Sequence, residues 1–254
     1  HVQDADVVFG IGASFTATGF GIRFPTKDKV FIHNTLDPMD INKNIPTEYP
    51  LLGDSKLMLT MLHAALHDRL KGKPRGLTAA VNANIRALND PWMAKWRPYL
   101  TSEDKPLYPY RVIADLMSVA DVPNTIITHD AGSPRDELSP FWKSVTPHSY
   151  IGWGKTTQLG YGLGLAMGAK LACPDKLCIN VWGDAAIGFT GMDFETAARE
   201  RIPILSILLN NAAMAIELDI MPGATRMVLA TDCAGNYADF AKALVGHGER
   251  VHRP

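Results

Sequence analysis

The chain has 254 residues, 46% of them hydrophobic, with 25 Lys and Arg against 26 Asp and Glu. This composition supplies apolar surface for one large or two modest cores and excludes a disordered chain. A formal net charge of −1 provides no basic field for nucleic acid and no polybasic segment for a membrane surface, so neither is expected as a partner.

The N-terminal stretch HVQDADVV lacks a charged region followed by an apolar one, and no apolar run approaches the roughly 20 residues that span a bilayer. Cys173, Cys178 and Cys233 form an odd set without C-x-x-C spacing, which fits a reducing, cytoplasmic setting and small buried side chains. Asp6 to Gly12 (DVVFGIG) and Lys29 to Thr35 (KVFIHNT) read as short apolar strands. The stretch FGIGASFTATGFG, Phe9 to Gly21, reads either as a degenerate dinucleotide loop or as a plain tight turn. Ser55 to Leu70 has helical periodicity, with Leu57, Met61, Leu62, Ala65 and Leu66 on one face, as an amphipathic helix requires.

From Lys71 to Tyr110 a segment rich in Lys, Pro and Trp interrupts the pattern and reads as an interdomain connection with some helix. Beyond it come a helix near Arg111 to Ala120, the run NTIITHDAGS, a glycine-rich helical segment after Trp153, and KLCINVWGDA. A helix from about Met192 to Glu200 and the run IPILSILLNN complete the alternation. Strands that are apolar at nearly every residue predict an α/β fold, with parallel sheets covered by helices on both faces. The expected divisions are residues 1–72, a linker over 73–110, and 111–254.

In such sheets chemistry gathers at the carboxyl ends of strands. Three expected strand ends carry polar or small residues: His129 to Ser133, Gly183 to Ala186 and Asn210 to Ala213. Asp184 and Asn211 lie 27 positions apart, the length of one right-handed crossover. Adjacent parallel strands are about 4.8 Å apart, so the two side chains can converge on one ion. A carboxylate, an amide oxygen and a nearby backbone carbonyl are hard donors that suit Mg²⁺ or Ca²⁺ rather than zinc, and an Mg²⁺ so held keeps positions for water and phosphate oxygens. The small Ala185 and Ala186 let backbone N–H groups approach such a phosphate. Taken singly, each piece is also an ordinary turn.

The segment GDAAIGFTGMDFETAARERIPILSILLNN, Gly183 to Asn211, resembles the motif of thiamin diphosphate-dependent enzymes, a G-D-G-type turn followed one crossover later by N-N. It is most similar to the acetolactate synthase, oxalyl-CoA decarboxylase and 2-hydroxyacyl-CoA lyase group, as is QLGYGLGLAMGAKLACPDKLCINVWGD just upstream. DADVVFGIGASF and KVFIHNTLDPMDINKNIPTEYPLLGDSKLMLTML resemble the second half of that group's central domain. The resemblance implies a thiamin diphosphate-binding fold plus half of a Rossmann-like central domain, with thiamin diphosphate and Mg²⁺ as cofactors. Asp184, Asn211 and the backbone oxygen of Ala213 match the metal ligands, and Gly183, Ala185, Ala186 and Met214 match cofactor contacts. Gly132 and Ser133 sit on the first strand-end loop, which in the family also meets the diphosphate. Leu159 matches the apolar residue that holds the cofactor bent, and Gln158 lies beside it. Glu217 occupies a position that is sometimes acidic in related decarboxylases; it reads as catalytic or as a plain capping residue.

Several positions depart from the group's pattern. Ala185 replaces glycine, the loop HDAGSPRDEL lacks the glutamine and histidine of acetolactate synthases, and Thr35 stands where an acidic residue is frequent, which bears on FAD or ADP binding. Trp153 and Lys155 read as approaching the cofactor or as surface packing, and His129 as a structural histidine. The implied reaction is C–C bond cleavage or formation on a 2-oxo acid or related small-molecule carbonyl substrate, in the manner of acetolactate synthase. The alternatives are a 2-hydroxyacyl-CoA lyase or oxalyl-CoA decarboxylase, and a noncatalytic dinucleotide-binding module. The resemblance further implies a pyrimidine-binding domain, from the same gene or a second chain, that carries the main catalytic glutamate. It also implies a C-terminally truncated diphosphate domain and a homodimer or homotetramer.

Overall fold

The computed structural model describes residues 2–17, 24–73, 76–152 and 158–254. The chain forms two compact units, His1–Asn84 and Ile85–Pro254.

The first unit is built on strands β1 (Val7–Ile11), β2 (Val30–Thr35) and β3 (Tyr49–Leu52), followed by helix α1 (Ser55–Leu70). The strands form a parallel sheet in the order β1-β2-β3. The central strand carries three buried polar residues, His33, Asn34 and Thr35. Thr35 accepts the Asp37 N–H at 3.1 Å, while the Asn34 amide oxygen has no hydrogen-bond partner among the described residues. The His33 ring nitrogen meets the Ala13 carbonyl, and the Asn34 amide donates to the carbonyls of Leu51 at 2.8 Å and Gly53 at 3.0 Å. Phe31 packs edge-on against Phe15 and Phe24. Asp54 starts α1 by accepting the Leu57 N–H at 2.9 Å.

The apolar stripe read on this helix is not a buried one: Leu57, Met61, Ala65 and Leu66 are exposed, and only Met58 and Leu62 are half-buried. The face turned inward is therefore set by the Ser55, Met58, Leu62 row, which local periodicity does not single out. The short strand β3 has no signature in the sequence, because four residues are too few for an alternation to register.

Helix α2 (Thr78–Leu100) occupies most of the Lys, Pro and Trp-rich span and runs across the division between the units. In the second unit follow α3 (Pro109–Val119), β4 (Thr125–His129), α4 (Ser133–Leu138), β5 (Tyr150–Ile151), α5 (Tyr161–Ala172) and β6 (Leu177–Gly183). After these come α6 (Asp184–Thr190), α7 (Asp193–Arg199), β7 (Leu205–Leu209), α8 (Glu217–Ile220), α9 (Pro222–Val228) and α10 (Tyr237–Ala243). The crossover after β6 thus carries two short helices, where the sequence suggested a loop and one helix. The first begins at Asp184, whose carboxylate takes the Ala185 N–H at 2.9 Å.

The strands form a parallel sheet in the order β5-β4-β6-β7. Alternate residues of β4 and β6 feed two cores. Ile127, Ile179 and Val181 pack with Ile113 and Leu116 of α3 and Leu138 of α4. On the opposite face Trp182 packs with Leu163 of α5 and Ala186 and Ile187 of α6, and Ile126 and Cys178 pack with Ala169. A sheet covered on both faces needs strands without a polar side, and that is why these runs lack alternation. Trp92 of α2 stacks on Phe141, with ring centroids 5.4 Å apart. Among the described residues, no helix is long and apolar enough to cross a membrane.

Helix α5 approaches the sheet closely at Gly162. Its carbonyl lies 3.0 Å from the Thr128 hydroxyl, and a Cβ added there would lie 2.5 Å from Asn180 Oδ1. Replacing glycine by alanine inside a helix ordinarily gains up to about 1 kcal/mol. Here the sign reverses, because the side chain in the way is buried and hydrogen-bonded. Gly162→Ala is expected to lower stability by about 1–3 kcal/mol, read as a lower urea midpoint at unchanged slope; a midpoint at or above the wild type contradicts this packing.

Candidate functional site

The parallel register brings three strand ends to one edge. His129 pairs with Val181, Gly183 pairs with Leu209, and the Asp130 N–H continues the ladder to the Val181 carbonyl at 2.8 Å. Asp130, Asp184 and the Asn210–Asn211 turn therefore stand next to one another in sheet order.

Asp184 is 4% exposed. One carboxylate oxygen accepts the Ala185 N–H, and the other, Oδ2, is buried with no hydrogen-bond partner in the protein. An unanswered carboxylate oxygen out of water is costly, and in folded proteins such groups are paired or bind metal. At the neighbouring strand end, Asn210 Oδ1 accepts the Ala212 N–H and Asn211 Oδ1 accepts the Ala213 N–H, each at 3.1 Å. Asn211 is exposed, and its amide oxygen keeps a second lone pair.

The Asn210–Met214 turn, with Ala212 at φ 59°, is braced from downstream. Cys233 donates its N–H to the Ala212 carbonyl at 3.0 Å, Met214 donates to the Thr231 carbonyl at 2.8 Å, and Ala213 bridges Asp232. Burial, and after it the Asp184 charge, push the Cys233 thiol and the Tyr237 hydroxyl up from their ordinary pKa values, so both residues lie within the electrostatic reach of that carboxylate. Among the described residues, no group of three or more His, Cys, Asp or Glu could hold a metal. An ion at this edge depends on Asp184 joined by amide and carbonyl oxygens, the hard donor set of Mg²⁺ or Ca²⁺.

At the first strand end Gly132 sits at φ 83°, a conformation that favours glycine, and Ser133 and Pro134 open α4. A Cβ on Gly183 would lie 3.6 Å from Pro134 Cγ, so the first and second strand ends touch. Leu159 is half-buried and packs on the cluster of Leu163, Trp182, Ala186 and Ile187, beneath the Asp184 turn. Gln158 is exposed. Glu217 is the first residue of α8 and donates its N–H to the Met214 carbonyl at 3.1 Å. The backbone N–H of Ala185, read as a phosphate donor, is engaged by Asp184. Trp153 and Lys155, and residues 18–21 of the stretch read as a dinucleotide loop, lie outside the described residues. His129 is buried, with Nδ1 3.1 Å from the Asp130 carbonyl and 3.2 Å from the Tyr161 hydroxyl. Burial holds its pKa down, as befits a structural histidine.

Asp130 lies within the first strand end, between His129 and Ala131. It is 0% exposed and accepts the N–H groups of Ala131 and Gly160, each at 2.8 Å, and of Gly162 at 3.0 Å. Its only sequence signal is an acidic residue directly after a strand, and two of its three partners lie 30 and 32 positions away.

Residues 130–254 match the family model for the C-terminal TPP-binding domain of thiamine pyrophosphate enzymes, and residues 1–62 match the model for their central domain. The chain belongs to the thiamine pyrophosphate enzymes. Within that family it is similar to proteins named for acetolactate synthase. It is 30% identical over 220 residues to a probable acetolactate synthase large subunit of Methanocaldococcus jannaschii, covering 84% of this chain and 36% of the relative. It is 27% identical over 266 residues to a probable acetolactate synthase large subunit of Methanococcus aeolicus, covering 99% and 43%. It is 28% identical over 231 residues to the mitochondrial acetolactate synthase catalytic subunit of Saccharomyces cerevisiae, covering 83% and 31%. The chain thus spans less than half the length of these relatives.

Helix α4, which follows the Gly132 loop, carries a half-buried carboxyl. Burial, with the charge of Asp136 added, pushes Glu137 up to about 7. A carboxyl whose folded pKa is raised is favoured when neutral, so the penalty appears as pH rises from its unfolded value, about 4.3, to about 7, and is complete above that. Glu137→Gln is therefore expected to match the wild type near pH 4 and to exceed it in urea midpoint at pH 8. An equal midpoint difference at both pH values contradicts the assignment.

Proposed function

We propose that this chain supplies the diphosphate-binding part of an acetolactate synthase-like enzyme, one that uses thiamin diphosphate and Mg²⁺ to cleave or form a C–C bond on a 2-oxo acid or related carbonyl substrate. The observation that carries the reading is the buried Oδ2 of Asp184, which no protein group answers, at a strand end within a domain of this family. A divalent cation there removes the cost of the unpaired oxygen. Asp184, Asn211 and the Ala213 carbonyl would be its three protein ligands in this reading, and a Mg²⁺ so held would link the chain to the diphosphate.

The remaining residues bind and orient. The Gly132–Ser133 loop and the start of α6 at Ala186 meet the diphosphate, with Gly183 and Met214 flanking it and Ala185, whose N–H is held by Asp184, lining the turn. Leu159 supports the cofactor from below, with Gln158 beside it. Thiamin diphosphate, when bound here, would supply the nucleophilic-carbon and electron-sink chemistry that C–C bond cleavage or formation next to a carbonyl requires. Glu217, at the start of α8, stands as a candidate proton carrier toward the substrate. A pyrimidine-binding domain, from the same gene or a second chain, closes the other wall and brings the main catalytic glutamate, in a homodimer or homotetramer.

Calorimetry on the complete protein tests this reading. Thiamin diphosphate is expected to bind only with Mg²⁺ present, and Asp184→Ala to weaken binding by about 100-fold or more, since loss of even an outer partner of a metal ligand costs about 10- to 100-fold. Affinity unchanged in that variant, or unchanged by chelation of the metal, overturns the proposal.

A further inference from the structure

Helix α5 starts on Gly160, which has no side chain to cap it. The N–H groups that a helix start leaves open are met instead by Asp130, at the end of β4, through Gly160 and Gly162. A carboxylate there also complements the positive end of the helix dipole. The same glycine is held from its other side, where the hydroxyl of Thr190, the last residue of α6, donates to the Gly160 carbonyl at 2.7 Å. A Cβ on Gly160 would lie 2.8 Å from Thr190 Cγ2 and 2.9 Å from Phe189 Cβ, and the residue sits at φ 95°. No other residue type takes that place without strain.

The consequence falls on Leu159. The Gly160 N–H belongs to the peptide plane that joins it to Leu159, and the Gly160 carbonyl to the next plane. Asp130 grips the first plane and Thr190 the second, so rotation about both bonds of Gly160 is arrested. We propose that Asp130 and Thr190 are positioning residues: together they fix Leu159 relative to the Gly132–Ser133 loop after β4 and to the helix that Asp184 opens, so that the apolar support of the cofactor keeps register with the elements holding its diphosphate. The inference rests on the thiamin diphosphate reading above. Neither residue needs to touch the cofactor, because both act through Gly160.

The test separates holding the diphosphate from placing the rest of the cofactor. Thr190→Val keeps shape and removes the hydroxyl donor; Asp130→Asn keeps shape and turns one acceptor oxygen into an amide that faces N–H donors. For the complete protein with Mg²⁺, three quantities are measured: the affinity for thiamin diphosphate, the affinity for inorganic diphosphate, and the rate at which C2–H of the bound cofactor exchanges with deuterium. Thermal midpoints without ligand report folding.

Thr190→Val is expected to keep its midpoint and its affinity for inorganic diphosphate while C2 exchange slows on the order of 10-fold or more, because small misplacements at a reacting centre carry large rate costs. Asp130→Asn should slow exchange further and also weaken thiamin diphosphate on the order of 10-fold. Exchange and affinity both unchanged in Thr190→Val overturn the inference, as does a parallel loss of midpoint and of both affinities, which marks a purely structural role. Failure of the wild-type protein to bind thiamin diphosphate overturns the cofactor reading itself, and is told apart because it appears before any substitution.

Discussion

The site depends on β6 being buried on both faces while its neighbours run parallel to it. Parallel pairing places the ends of β4, β6 and β7 at one edge, and burial on both faces keeps the strands mainly apolar, with polar side chains such as Thr128 bonded inside. The first polar side chain beyond each strand then emerges at that edge, which is how Asp130, Asp184 and Asn210 come to be neighbours. A register slip of one residue would turn each side chain to the opposite face. The two cores, Ile127, Ile179 and Val181 on one side and Trp182 on the other, make such a slip costly.

Polar groups within the sheet have a second task. Thr128 and Asp130 are fully buried, and both bond to the glycine-rich start of α5. A hydroxyl and a carboxylate each demand particular partners at short range, whereas apolar contacts tolerate sliding. Directional bonds therefore dock this helix end at one height. Asp184 is treated differently. Its carboxylate is sealed like that of Asp130, but only one of its oxygens is answered by protein. Two buried carboxylates at adjacent strand ends thus differ in what satisfies them: one is completed by backbone N–H groups, the other leaves an acceptor for something that is not part of the chain.

Much of this edge is legible in the residues. The strands declare themselves because a run such as CINVW must be buried wherever it lies, and the interval between Asp184 and Asn211 is dictated by the length of a crossover. Other features escape a linear reading for physical reasons. The start of α6 at Asp184 hides because a carboxylate followed by two alanines serves a turn or a helix equally well. Whether the apolar stripe of α1 is buried depends on what packs there, and in this unit only Met58 and Leu62 are partly covered. The bracing of the Asn210–Met214 turn by Thr231 and Cys233 involves backbone groups, which carry no residue signature at all.

The sequence by itself determined the alternation of strands and helices, the parallel sheets and the placing of one carboxylate and one asparagine at adjacent strand ends, since each follows from local periodicity or from a fixed chain interval. Only the tertiary structure decided that Asp130 caps a helix 30 positions downstream, that Thr190 grips the same glycine from the far side, and that one oxygen of Asp184 is left unanswered. Those facts depend on which backbone N–H and C=O groups folding brings within hydrogen-bond reach, and every residue type but proline offers the same pair of groups.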